Sequence, residues 1–191
     1  MTLYYALITA LWLLFILYWI AMAFGAKKSL GRSEWLRGAG VRAGILIAVL
    51  VLVRIPTVRE ILRLGRGHLM ITDPLLGVIG VVICACGVGL AVWARVYIGR
   101  NWGMPMSRKR DPELVTGGPY RYVRHPIYTG IFFAMLGSAV GQSLVWILPL
   151  LLGGAYFVYS ARREEQLMTE QFPQQYPAYM KRTKMLLPFI F

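Results

Sequence analysis

The stretch Gly117-Gly118-Pro119-Tyr120-Arg121-Tyr122-Val123-Arg124-His125-Pro126-Ile127-Tyr128-Thr129-Gly130 crowds imidazole, basic, phenolic and turn-forming residues between apolar segments. Gly117-Gly118-Pro119 marks a turn, and Pro126 suits the first turn of a helix while biasing the residue before it towards an extended backbone. His125 is therefore expected at the mouth of a helix. Further on, Glu164 and Glu165 stand side by side in a chain with only 8 acidic residues against 21 basic ones. Such a pair suits a cationic or polyhydroxylated cofactor, through charge-assisted hydrogen bonds. His125, Glu164, Glu165 and a tyrosine are also the candidate bases. No metal cluster, Gly-rich phosphate loop or nucleophile triad is visible, and His68 reads as structural.

The elements that must position these residues are membrane spans. The hydrophobic fraction of 58% lies in long blocks, above the roughly 45–50% usual in soluble domains. This implies a polytopic, all-α membrane bundle of about five transmembrane helices, a single integral-membrane domain over 1–191. Spans fill 1–98; residues 99–191 hold a loop, a helical hairpin and an amphipathic tail. Residues 3–24 form a permanent first span without the basic start of a signal peptide. A shorter second span is expected at 43–53, an interfacial segment at 54–73, and a third span from Asp73-Pro74 to about 98, broken only by Arg95. From Pro126 to Ser160 there is no charge, and one helix of that length would measure about 50 Å, too long for a bilayer. It must fold back, with Gly137-Ser138-Ala139-Val140-Gly141-Gln142-Ser143 as the expected turn, and Pro149 and Gly153-Gly154 loosening the second helix. Pro173 and Pro177 are expected to break up the polar tail.

The net charge of +13 does not indicate nucleic acid, because the basic residues lie between apolar blocks and not on a free stripe. With the amino terminus outside, sixteen Lys and Arg fall inside, in 25–42, 99–125 and 161–191, and four outside, in 54–73. The positive-inside rule favours that orientation, in a prokaryotic inner membrane. The Gly117–Gly130 stretch and the tail then share the cytoplasmic face. Antiparallel helices joined by a short turn bring His125 and Tyr128 near Glu164 and Glu165. Cys84 and Cys86, two apart on a helix, point to different faces and suggest neither disulfide nor metal.

Gly99-Arg100-Asn101-Trp102, then Leu114 to Gly130, then Glu164-Glu165, Gln171-Phe172, Tyr176, Tyr179 and Leu187-Pro188-Phe189 together resemble the isoprenylcysteine carboxyl methyltransferase family, and more loosely the phospholipid N-methyltransferases. The resemblance covers the chain from Arg95 onward. It implies an S-adenosylmethionine-dependent methyltransferase without a Rossmann domain, S-adenosylhomocysteine as product, and a lipid-like or prenylated acceptor, most simply a carboxylate. By motif, His125, Pro126, Tyr128, Glu164 and Glu165 line the cofactor site, and Gly117, Gly118 and Tyr120 supply close backbone contacts. Arg95, Arg124 and Glu165 are the candidate catalytic residues, Arg95 as a bidentate fork for an acceptor carboxylate. A helix N-terminus at Pro126 favours the methionine carboxylate. The family's Ser after Asn-Trp is Gly103 here, followed by Met104-Pro105-Met106, which bears on acceptor preference.

Blander readings stand beside these. Arg95 could snorkel to the headgroups, Arg121 and Arg124 could be headgroup contacts or topology determinants, and Glu164-Glu165 could cap a helix beside Arg162 and Arg163. The tryptophans fit an aromatic belt, with Trp102 as a candidate pocket wall; Tyr176 and Tyr179 are expected to pack the tail onto the bundle. The rival functions are a phospholipid N-methyltransferase, a sterol-type reductase, and a non-catalytic lipid- or partner-binding membrane protein. The acceptor and the oligomeric state are not legible in the sequence.

Overall fold

A computed structural model describes residues 3–23, 29–30, 69–102, 108–109 and 113–188. The expected second span at 43–53, most of the 54–73 segment, His68, Gly103 to Met106 and Phe189 lie outside the described residues. Within them the architecture is helical: α1 (Leu3–Ala23), α2 (Pro74–Ile98), α3 (Pro126–Gly141), α4 (Ile147–Gln171) and α5 (Gln175–Arg182). One two-residue antiparallel pair, Ser29–Leu30 with Arg108–Lys109, is the exception to the all-α reading. Leu3–Met22, Pro74–Ile98 and Leu144–Gln171 are long and apolar enough to cross a membrane. Helix α3, with 16 residues, is the shorter apolar helix.

Helix starts follow the local sequence. Asp73 caps α2, its Oδ1 accepting from the Leu75 and Leu76 amides at 2.7 and 3.1 Å, with Pro74 in the first position. This satisfies two of the orphan donors at the helix start. Helix α3 starts with His125 in the cap position and Pro126 first.

Helix α3 packs chiefly on α2, through small residues. Gly77, Gly80, Cys84, Gly87, Ala91 and Ala94 are buried on α2, and Gly130, Ala134, Gly137, Ser138 and Gly141 on α3. A Cβ on Gly87 would stand 2.6 Å from the Gly130 carbonyl oxygen, and one on Gly137 2.6 Å from that of Gly80. The backbones therefore touch. Two apolar helices in lipid gain nothing by hiding from water, so close packing of small residues must supply the association. Cys84 is buried in this seam while Cys86 is exposed, and both thiols are free.

The hairpin turn differs from expectation. Helix α3 runs through Gly137, Ser138 and Ala139 to Gly141, and the reversal comes at Gln142, Ser143 and the short 3-10 turn Leu144–Trp146. The glycines assigned to the turn instead give α2 its close approach. Pro149 does not loosen α4 either: it occupies the first turn, where no intrahelical hydrogen bond is lost. This end is tied by Ile71 N to Gln142 O at 3.1 Å, Leu144 N to Leu69 O at 2.9 Å, and the Tyr5 hydroxyl to Gln142 O at 2.6 Å. Trp12 stacks on Trp146 at 5.3 Å and donates from Nε1 to Ser138 Oγ at 2.9 Å.

Helix α4 continues past Ser160 without a break to Gln171. Glu164 and Glu165 thus project from a rigid helix that also carries the apolar segment. Pro173 lies in the turn before α5, and Pro177 sits in the first turn of α5.

Candidate active site

The polar cluster gathers where α3 begins and α4 ends. The tail after α5 runs beside the start of α3: Arg124 N donates to Lys184 O at 2.8 Å, His125 N to Met185 O at 3.1 Å, and Thr129 Oγ1 to Leu186 O at 2.6 Å. These bonds satisfy backbone groups just ahead of a helix and fix His125 at its mouth.

His125 is 9% exposed and lies between the two acids. Its Nε2 is 3.3 Å from Glu165 Oε1 and its Nδ1 3.6 Å from Glu164 Oε2. Glu165 Oε1 also accepts from Arg124 Nε at 2.6 Å, with side-chain exposures of 9% for Arg124 and 8% for Glu165. Arg124 Nη1 turns back to the carbonyl oxygens of Met180, at 3.3 Å, and Thr183. Glu165 thus holds an arginine and an imidazole through one oxygen and is itself almost enclosed.

Glu164 is different. Its Oε1 accepts from the Tyr128 hydroxyl and from Ser160 Oγ, the latter at 3.2 Å, and its side chain keeps 27% exposure. Its Oε2 has the 3.6 Å approach of His125 and otherwise open lone pairs. The His125, Tyr128 and Phe157 rings stack in sequence, at 5.6 and 5.0 Å with interplanar angles of 11° and 7°. Ser160 and Phe157 were not among the expected site residues. Ser160 stands one helical turn before Glu164, the spacing that could have revealed it.

Tyr176 and Tyr179 are buried, as the expected packing of the tail onto the bundle requires, and Tyr179 donates to Tyr120 O at 2.5 Å. Burial, then the charges of Tyr179 and Glu164, pushes the Tyr120 hydroxyl upward; burial and Glu165 do the same for Tyr176. Burial pushes Tyr179 up to about 12. These three phenols keep their protons near neutral pH, which removes them from the candidate bases.

Gly117 and Gly118 face Tyr97. Gly118 has φ +56°, and a Cβ there would stand 2.5 Å from Tyr97 Cδ2. The glycine pair therefore lets this loop lie flat on α2 and carries Tyr120 inward, where its hydroxyl meets Ala94 O at 3.4 Å.

Arg95 faces the bundle interior and does not snorkel: it is 2% exposed. Nη1 donates to Gly99 O at 2.8 Å and Nη2 to Met22 O at 2.7 Å, tying the end of α1 to that of α2. Trp102 covers its guanidinium at 4.5 Å and meets Trp19 edge-on at 5.8 Å. Among the described residues Arg95 makes no ion pair with Glu164 or Glu165.

A helical membrane bundle with a buried and a partly open acid, an arginine and a histidine at the end of a tight hairpin defines the class: an integral membrane protein with a polar site at one end of its bundle. The family model described as phospholipid methyltransferase matches residues 75–175, from the start of α2 to the start of α5, and the chain belongs to that family. The resemblance to isoprenylcysteine carboxyl methyltransferases is borne out by relatives. The protein-S-isoprenylcysteine O-methyltransferase of Tribolium castaneum is 30% identical over 120 residues, 59% of this chain and 41% of that protein. The nickel-cobalt-cadmium resistance protein NccN of Alcaligenes xylosoxydans xylosoxydans is 28% identical over 131 residues, 67% of this chain and 59% of that protein. The solved eukaryotic intramembrane Ras methyltransferase ICMT (isoprenylcysteine carboxyl methyltransferase) matches with TM-score 0.54 at 23% identity, over 84% of this chain and 55% of that one. That likeness shows the fold. The chain spans about half the length of the curated relatives it matches.

Proposed function

We propose that the chain is an S-adenosylmethionine-dependent methyltransferase acting on a hydrophobic, lipid-like acceptor, a carboxylate of the isoprenylcysteine type. The supporting observation is the difference between the two glutamates: Glu165, 8% exposed, is enclosed beside Arg124 and His125, whereas Glu164 keeps 27% of its side chain open beside the His125–Tyr128–Phe157 stack. Family membership and the named relatives point the same way.

The residues fit such a cofactor. Glu164 Oε2 would hold its amino group or ribose hydroxyls, and the start of α3 at Pro126 would favour its carboxylate. The His125–Tyr128–Phe157 stack presents flat, polarisable walls beside that oxygen. When bound, S-adenosylmethionine supplies an electrophilic methyl group on a positively charged sulfur. Glu165 acts as a positioning residue: it orients His125 and, through Arg124, fastens the tail over the site. Arg95 uses two of its five N–H groups on carbonyls, leaving three to orient an acceptor carboxylate that reaches it from between the helices. A carboxylate acceptor is already ionised near neutral pH and needs no base; positioning and exclusion of water then carry the rate.

The site end of the bundle faces the cytoplasm of a prokaryotic inner membrane in this reading, with the amino terminus outside, because that end carries the excess of Lys and Arg. A second reading, N-methylation of an amine-headed phospholipid, draws on the family description; it would need His125 or Glu164 as base. Transfer of a radiolabelled methyl group followed by mild alkaline hydrolysis separates the two. Release of volatile methanol supports the ester; a label that stays non-volatile through alkali, on the amine headgroup freed by deacylation, supports the N-methyl product and contradicts the carboxylate reading.

A further inference from the structure

Beside the candidate active site, and sharing with it Arg124 and the stretch of tail that Arg124 and His125 hold, a groove of about 480 Å³ runs between the 3-10 turn Gly118–Arg121 and the end of α5. Arg121, Lys181, Arg182 and Lys184 line it, all four exposed and without an ion pair among the described residues. The carbonyl end of a helix normally repels an anion. Here the Met180 and Thr183 carbonyls accept from the Arg124 guanidinium, so these two oxygens do not meet the groove unpaired. Tyr122, 57% exposed, and the partly buried Met185 supply the apolar side of the groove.

The depth is set by α3. Arg121 and Tyr122 precede the apolar helix that begins at Pro126 by about a turn's length of chain, which puts the groove at headgroup level, where an exposed tyrosine is at home. We infer that this groove binds the phosphate of an anionic phospholipid from the surrounding bilayer, with Arg121 and Arg182 contributing from its two sides. This site lies outside the proposed methyl-transfer chemistry. It would seat the tail, and the loop leading to His125, against the membrane surface, so that site and lipid acceptor share one level.

The full chain, reconstituted in phosphatidylcholine vesicles, would be titrated with spin-labelled phosphatidylglycerol and phosphatidylcholine, reading the motionally restricted lipid fraction. Phosphatidylglycerol is expected to be preferred, and Arg121→Gln with Arg182→Gln to lower that preference on the order of ten-fold. The charge-matched pair Arg162→Gln with Arg163→Gln, exposed on α4 but outside the groove, should leave it nearly unchanged. Equal loss in both double variants would mean general surface charge and overturn the site. So would absence of any phosphatidylglycerol preference. Displacement of the labelled lipid by millimolar inorganic phosphate would make the occupant a soluble anion and overturn the lipid assignment.

Discussion

Helix α3 presents two unlike surfaces. Towards α2 it lays down Gly130, Ala134, Gly137 and Gly141, so that backbone meets backbone with almost no side chain between. Towards α4, at its first turn, it offers His125 and Tyr128 to a pair of carboxylates. The first surface has no chemistry and little freedom; the second is polar, partly open and densely hydrogen-bonded. The contrast shows how a short helix in lipid can hold a precise cluster: the seam fixes the helix, and the helix start then aims the cluster. The other end of the bundle, closed by Tyr5, Trp12 and Trp146, is tied just as firmly but lacks any described charged group in its ties.

That contrast can be broken from either side. The largest effect is expected from Arg124→Ala, which leaves Glu165 buried without its arginine and costs about 3–5 kcal/mol, read as a lowered thermal midpoint in detergent. Replacing both members with methionine should recover much of that stability without restoring cofactor binding, since the penalty lies in the orphaned charge. Next, Gly137→Leu forces a side chain into the Gly80 and Cys84 backbone and is expected to destabilise by about 1–3 kcal/mol or more. Gly89→Leu on the same seam helix, with nothing within 4 Å of its Cβ position, should be tolerated. If the two leucines behaved alike, the seam would not be what holds α3.

A smaller effect sharpens the role of Arg95. Arg95→Lys keeps the charge but cannot reach both the Met22 and Gly99 carbonyls, at a cost of about 1–2 kcal/mol. If Arg95 also orients the acceptor, methylation of a carboxylate substrate should fall further than stability alone explains, with cofactor affinity unchanged. Undiminished activity would confine Arg95 to tying helix ends.

Much of this arrangement was legible where local chemistry is strong. Asp73-Pro74 and His125-Pro126 marked two helix starts, and the uncharged run from Pro126 to Ser160 demanded a hairpin. The juxtaposition of His125 with Glu164 and Glu165 followed from that hairpin. The turn was misplaced because small residues serve both turns and tight helix contacts; the spacing of Gly80, Cys84, Gly87 and Ala91 on α2 was the signal for the second use. The different duties of the two glutamates were hidden, since neighbouring residues on a helix differ by about 100° in direction and only the partners decide which one is enclosed. The tie that Arg95 makes between helix ends was hidden because its partners are backbone carbonyls, which leave no pattern in side-chain types.

The most direct measurement is calorimetric titration of S-adenosylhomocysteine into the purified full chain and into Glu164→Gln. The account predicts saturable binding to the native chain and at least about ten-fold weaker binding to the variant, with an unaltered thermal midpoint, because the exchange removes a charge-assisted contact and leaves the Arg124–Glu165 pair in place. No saturable binding to the native chain, or equal affinity in the two proteins, would contradict it.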